Sequence, residues 1–358
     1  MNKKINQKGF SLIELMVGLV IGLLVSLAIY NIFNIFEKQK RVTTGNSDAQ
    51  TNGAIAIYNI QRDAEKAGFA LPVYSNDYSP FNCPINTTFD HDNNATTAAV
   101  GLSPVVITDG GAGSDVIAIR SGDSMRGGIA IDMIAGTGAN IAQVNSTIAC
   151  AVNDTILVMR DPPTLGCNMS RVNAITAVGV TPRRVTFSTT TNVTTGNNFS
   201  CMGVWNETQY SIIANQLNRS GAIVTGIPSA LFVPVVADVV NLQAQYGVSA
   251  TPNNNQVTQW VDATANWAPG VITVTNRNRI KAIRVAIVAR NGLLENNNVT
   301  TAAPIAWADV PVGGAITVAS PAPIINLATT DANWQRYRYR TYESVMPIRN
   351  IVWSRGAL

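Results

Sequence analysis

The first 36 residues constrain this chain more than any other part of it. A basic stretch, MNKKINQKG, runs directly into FSLIELMVGLVIGLLVSLAIYNIFNIF, which is apolar almost throughout. From Leu15 to Phe36 there are 22 residues without a charge, and a helix needs about 20 to cross a hydrocarbon core. A secretory signal would carry its small-residue cleavage site after the apolar run. Here the small residue, Gly9, comes before it, so a cut at Gly9 leaves the apolar helix on the mature protein. Glu14 is the one charge in this stretch. A carboxylate at the edge of a bilayer is expensive and marks function more often than not.

Composition sets wide bounds on the rest. The 358 residues could form one large domain or two. With 46% hydrophobic residues and 13% charged, the chain suits a packed core under an uncharged polar surface, and loops such as Thr186 to Asn198 (TFSTTTNVTTGNN) supply much of that polarity. The formal charge of +4 falls by three if Lys3, Lys4 and Lys8 leave with a leader, so bulk charge argues neither for nor against a nucleic-acid partner. Cys83, Cys150, Cys167 and Cys201 all lie beyond the apolar run. Two disulfides are expected of an exported head, and all three pairings remain open. Zinc is the weaker reading, since no CxxC or CxxH pair occurs. Lys38, Lys40 and Arg41 balance the three leader lysines, so the positive-inside rule leaves the orientation tied.

Helical periodicity continues past the apolar run. In AIAIYNIQRDAEKAGF, Ile57, Ile60, Ala64 and Ala67 recur at helical spacing, with Gln61, Arg62, Glu65 and Lys66 on the other side. Gly68 and Pro72 are stop signals, while Thr43 to Ser47, Gly45 and Gly53 are expected bend points. An unbroken helix from Phe10 to Ala67 would hold 58 residues and reach about 87 Å. Half of it would protrude from any head, which suits a filament subunit. After Phe69 the pattern turns to strands: 104–109, 115–120, 128–134 and 154–160 are short β-rich runs. Three later ones are clearer. In VVNLQAQYGV, Val240, Leu242, Ala244 and Tyr246 alternate with Asn241, Gln243 and Gln245, which predicts a half-buried strand. In RIKAIRVAIVAR, Ile283, Val285 and Ile287 oppose Arg284 and Arg290. In WQRYRYRTYESV, Tyr337 and Tyr339 alternate with Arg336, Arg338 and Arg340. The expected class is α+β: a long N-terminal transmembrane and amphipathic helix followed by a β-rich antiparallel globular head.

The segment GFSLIELMV, Gly9 to Val17, resembles the leader junction of the type IV pilin family, with basic leader, Gly, Phe, Glu and apolar run in the required order. VVNLQAQYGV, RIKAIRVAIVARNG and RYRYRTYESVMPIRN, in that order near the C-terminus, resemble the PilW family of minor pilins. More distantly they are similar to the J-type minor pseudopilins of type II secretion. The resemblance implies a leader at 1–9, a membrane part of the helix at 10–36, an amphipathic part at 37–68 and a head at 69–358, with the PilW-like strands in 235–353. It implies cleavage after Gly9 by prepilin peptidase, N-methylation of Phe10, and pairing of Glu14 with the N-terminal amine of a neighbouring subunit. The leader and the even cysteine count then break the tie toward an exported head. The subunit would wait in the inner membrane with its head in the periplasm, then help prime the pilus. At or near the tip it would join other minor pilins, the major pilin and a PilY-type adhesin. The span departs from major pilins, which carry a helix-kinking proline where Asn31 stands here, and this fits a minor subunit. The alternatives are a J-type pseudopilin, or a tip module binding DNA or a surface directly.

Other candidate sites carry less. Catalysis by a histidine would have to use His91, the only one in the chain. Asp63 and Glu65 read as a solvated helix face, and no enzyme activity or cofactor is expected. Asp90, Asp92 and Asn94 start like a calcium loop, but Ala95 and Gly101 stand where glycine and glutamate are needed, so no metal is assigned. GGAGSD (Gly110 to Asp115) reads as a turn. Arg336, Arg338 and Arg340 could track phosphates, yet their alternation with tyrosines is met more simply by one buried face and one snorkelling face. Nucleic acid is therefore not the expected partner.

Overall fold

A computed structural model describes residues 9, 11–72, 83–84, 88–89, 100–138, 140–159, 167–177, 179–188, 198–220, 232–307, 323 and 325–352. It opens with helix α1 (Leu12–Ala64), 53 residues without a break. At about 1.5 Å per residue that is roughly 80 Å. Ser11 caps it: the hydroxyl accepts from Glu14 N (3.2 Å), while Ser11 N donates to Glu14 Oε2 (3.1 Å), two orphan donors satisfied at once. The helix ends in a run of turns over 65–70. There Gly68 takes φ +74°, a left-handed conformation natural to glycine, and donates its N–H to Arg120 O at 2.8 Å.

Short strands follow: β1 (Thr88–Phe89), β2 (Val100–Gly101), β3 (Val105–Thr108), β4 (Val116–Ser121) and β5 (Ile131–Gly138). Next come β6 (Ile141–Val144), β7 (Thr155–Met159), β8 (Cys167–Ile175), β9 (Arg184–Phe187) and β10 (Asn198–Cys201). The chain goes on through β11 (Asn206–Ile213), β12 (Gln216–Ser220) and β13 (Phe232–Ala237). It finishes with β14 (Val239–Ser249), β15 (Val257–Val261), α2 (Val274–Arg279), β16 (Ile280–Arg290), β17 (Tyr339–Pro347) and α3 (Arg349–Val352).

Three antiparallel assemblies result. β10-β5-β6-β9-β8-β7 close a barrel, β13-β12-β11-β4-β3 form a five-stranded sheet, and β15-β14-β16-β17 form a four-stranded one. β1 and β2 make a separate pair. The barrel has its own core, with Ile131, Val144, Ile156, Val158, Val172, Phe187 and Phe199 buried inside it. Phe187 and Phe199 meet edge to face with ring centroids 6.2 Å apart, a favoured aromatic geometry. A larger core joins the docked part of α1, through Ala56, Ile60, Ala64 and Ala67, to both open sheets.

Three expectations are corrected. The helix does not bend at Gly45 or Gly53. A Cβ at Gly45 would lie 2.8 Å from Asn291 Cβ, and one at Gly53 would overlap the Tyr342 ring, so these glycines let the head approach a straight helix. β14 is buried along its whole length rather than on one face. Its polar face is covered too, and its amides are satisfied: Gln243 Nε2 donates to Gly113 O (2.6 Å), and Gln245 Oε1 accepts from Arg284 Nε (2.7 Å). The third correction concerns the Arg/Tyr segment. Residues 334–336 form a turn of 3-10 helix and the strand begins only at Tyr339, so Arg336, Arg338 and Arg340 do not line one strand face.

Candidate assembly interface

The N-terminal half of α1 is an unpartnered apolar rod. Every large hydrophobic side chain from Leu12 to Phe36 is exposed, and by length and composition this is the one helix among the described residues able to cross a membrane. An apolar stripe of this extent in water would be strongly unfavourable, so the chain requires lipid or other helices around it. Glu14 sits in the first turn, where its carboxylate meets the positive end of the helix and the backbone N–H of Ser11. Gly9 is exposed with open space around it. Phe10 and the leader residues lie outside the described residues, as do Asp90, His91, Asp92 and Asn94.

The other half of α1 is clamped to the head. Gly45, Ala49, Gly53, Ala56, Ile60, Ala64 and Ala67 are all buried, at spacings of three and four that keep one face toward the sheets. Asp63 is buried with them, not solvated as its charge suggested. Its Oδ2 accepts from Arg219 Nε (2.8 Å) on β12 and from the Tyr210 hydroxyl (2.7 Å) on β11. Burial, with Asp63 beside it, pushes the Tyr210 hydroxyl well above the usual phenol range, so this phenol stays a donor. A cue was present in the sequence: Asp63 is three residues from Ile60, on the apolar side of the helix.

The four cysteines form two bridges. Cys83–Cys167 ties the segment after α1 to β8 of the barrel, and Cys150–Cys201 closes the barrel's own β10 against the loop after β6. They span 84 and 51 residues, and loops of that size lose about 4 kcal/mol of denatured-state freedom apiece in the chain-entropy model.

The GGAGSD segment is a turn, as read, and it also latches the two open sheets together. Asp115 is buried; its carboxylate accepts from Gly110 N (2.9 Å) and Ala244 N (2.7 Å), while its own N–H donates to Leu242 O (2.8 Å). Burial pushes this carboxyl up to about 7, against the two N–H bonds, and the charges of Asp109 and Asp262 push the same way.

The three arginines are engaged within the chain. Arg336 Nε donates to Glu295 O (2.7 Å), Arg338 pairs with the Glu295 carboxylate (3.2 Å), and Arg340 Nε donates to Asn46 Oδ1 of α1 (2.9 Å). Arg284 is held between Trp260 and Trp307, 5.1 and 4.5 Å from the ring centroids.

Comparison with known families fits this geometry. Residues 4–30 match the prokaryotic N-terminal methylation motif, so the exposed rod and its leader are those of a type IV pilin-like protein. Residues 205–350 match the family of type IV pilus-assembly protein W, PilW. That match takes in β11 to β17, the strands that cradle α1. No curated protein and no solved structure matches the chain. The methylation motif and the apolar helix together point to membrane anchoring and a pilus, and a pilin-type assignment implies a structural, non-catalytic role.

Proposed function

We propose that this chain is a minor pilin that helps prime type IV pilus assembly and sits at or near the pilus tip. The observation that carries the reading is α1 itself: one rigid helix, bare and apolar over its first half and locked to PilW-like strands over its second. In the inner membrane the bare half is stored in lipid with the head in the periplasm. Prepilin peptidase cuts after Gly9, Phe10 becomes the methylated N-terminus, and Glu14 leaves its capping role to pair with the amine of a neighbouring subunit. The exchange is favourable because a charge pair in a low-dielectric bundle outweighs an exposed cap worth about 1 kcal/mol. The head, large beside the helix, suits a tip complex with other minor pilins and a PilY-type adhesin better than a close-packed shaft.

The test is piliation and twitching motility in a deletion strain complemented with wild type or Glu14→Val. Pili restored by wild type alone support the reading; a Glu14→Val strain with normal pili removes the role given to Glu14. Intact pili with a defect in protein export would point to a secretion pseudopilin. Gly9→Val should leave the leader attached, and a mature-length product from that variant would refute the cleavage site.

A further inference from the structure

The arginines of the RYRYR segment take no part in the assembly reading, yet their position is fixed relative to α1. β17 runs alongside the helix. At its start Arg340 holds Asn46, midway Tyr342 packs on Gly53, and just past its end Asn350 Nδ2 donates to Ala67 O (2.9 Å). The start of β17 is therefore the end of the head nearest the bare half of α1. β16 is antiparallel to β17, so it travels toward that end, and the chain leaving it at Asn291 carries Leu293 and Leu294 beyond the sheet. Both leucines are exposed, at 41% and 37%. Asn291 lies against Gly45, and its N–H donates to Arg338 O (3.0 Å). On α1, Lys38 and Lys40 are exposed just beyond Phe36.

Heights along the helix follow from this. Asn46 is ten residues past Phe36, about 15 Å of helix. Headgroups reach roughly 5–7 Å beyond the hydrocarbon. Arg340 then stands within about one Debye length (~8 Å) of the headgroups, with Lys38 and Lys40 among them and the Leu293–Leu294 loop hanging between. The charges here are not all positive. Glu295 is shared by Arg336 and Arg338, Asp238 and Asp331 engage Arg290, and Glu37 has a partner of its own. Arg340 has only the neutral Asn46 among the described residues. A basic rim around an exposed apolar pair matches an anionic interface.

We propose that this end of the head docks on the anionic phospholipid surface of the membrane that holds α1, with Lys38, Lys40 and Arg340 meeting headgroup phosphates and Leu293 and Leu294 entering the interface. Docking keeps the stored subunit upright and is given up when the subunit leaves the bilayer. Nucleic acid fits this face less well, because the rings that would stack on bases are occupied. Tyr337 lies under Arg290 (4.2 Å), and Tyr339 donates its hydroxyl to Trp334 O (2.8 Å).

The proposal rests on the reading that α1 anchors the chain in a bilayer, and the experiment separates the two. The full-length chain is placed in nanodiscs of phosphatidylcholine alone or mixed with phosphatidylglycerol, and amide exchange is followed over 291–300 and 334–340. Exchange several-fold slower with phosphatidylglycerol, relieved by high salt and abolished by Lys38→Glu, Lys40→Glu and Arg340→Glu together, is the expected result. Unchanged exchange in β14 and β16 of the variant shows that it is folded; if it is not, the wild-type salt response decides. Equal exchange in both lipids overturns the proposal alone, whereas a chain that fails to insert overturns the anchoring reading and this proposal with it. Slowing by duplex DNA but not by phosphatidylglycerol would also overturn it, and would assign the face to nucleic acid.

Discussion

The two halves of α1 share one backbone but not one environment. From Leu12 to Phe36 the helix is hydrophobic all round and touches nothing in the chain. From Gly45 to Ala64 it is two-sided: small residues and one isoleucine face the sheets, while Tyr58, Arg62 and Gln61 face outward. Glycine shows the difference most clearly. Gly18 and Gly22 have open space where a Cβ would go, whereas Gly45 and Gly53 are filled by Asn291 and Tyr342. The first pair carries only the propensity penalty of about 1 kcal/mol relative to alanine. The second pair carries the same penalty for a closer helix–sheet approach. A residue's meaning is thus set by what packs against it, even within one continuous helix.

Four substitutions test that contrast. The largest expected effect comes from Cys83→Ser, which frees the segment leaving the docked half and should destabilise the head by about 4 kcal/mol on the loop-closure argument. Denaturant unfolding of the detergent-solubilised chain measures it, and a change under 1 kcal/mol would mean the docked helix alone holds that segment. Asp63→Ala comes next, at about 3 kcal/mol, because it leaves Arg219 and Tyr210 without their acceptor. A double-mutant cycle with Arg219→Ala should show strong coupling; additivity would dismiss the clamp.

The third is a pair. Gly53→Ala should lower stability by about 1–2 kcal/mol through overpacking on Tyr342, although alanine favours helix. Gly22→Ala should leave head unfolding unchanged, and equal effects at both sites would erase the contrast between the halves.

The smallest effect concerns pH and the latch between the sheets that the docked half bridges. The Asp115 carboxyl is raised in the folded state from 3.8 to about 7. The folded form therefore binds its proton more tightly than the unfolded form does. The contribution is fully present below pH 3.8 and is lost as pH rises through about 7. Asp115→Asn should flatten that part of the stability–pH profile, and an unchanged profile would show that another group titrates there.

Much of this was legible in the chain itself. The membrane-length run, the glycine before it and Glu14 are local signals, readable because a bilayer imposes length and polarity rules on any helix that crosses it. The alternation in residues 239–248 and 280–290 announced strands for a similar reason. The barrel over 131–201 was not legible. Its strands are short, several registers shift by a residue, and closure depends on pairing segments distant in sequence, such as β10 with both β5 and β7.

Asp63 and the arginines mark the same boundary from the other side. Period and charge placed them on helix and strand, but whether a charged group meets water or a partner depends on which other segment arrives beside it. The sequence alone determined the anchored helix, the β-rich head and the reactive end at Gly9 and Glu14, because each rests on neighbours within a few turns of chain. Tertiary structure decided the disulfide pairing, the glycine contacts, the burial of β14's polar face and the orientation of the basic rim. Those depend on contacts between residues tens to hundreds of positions apart, which no local period encodes.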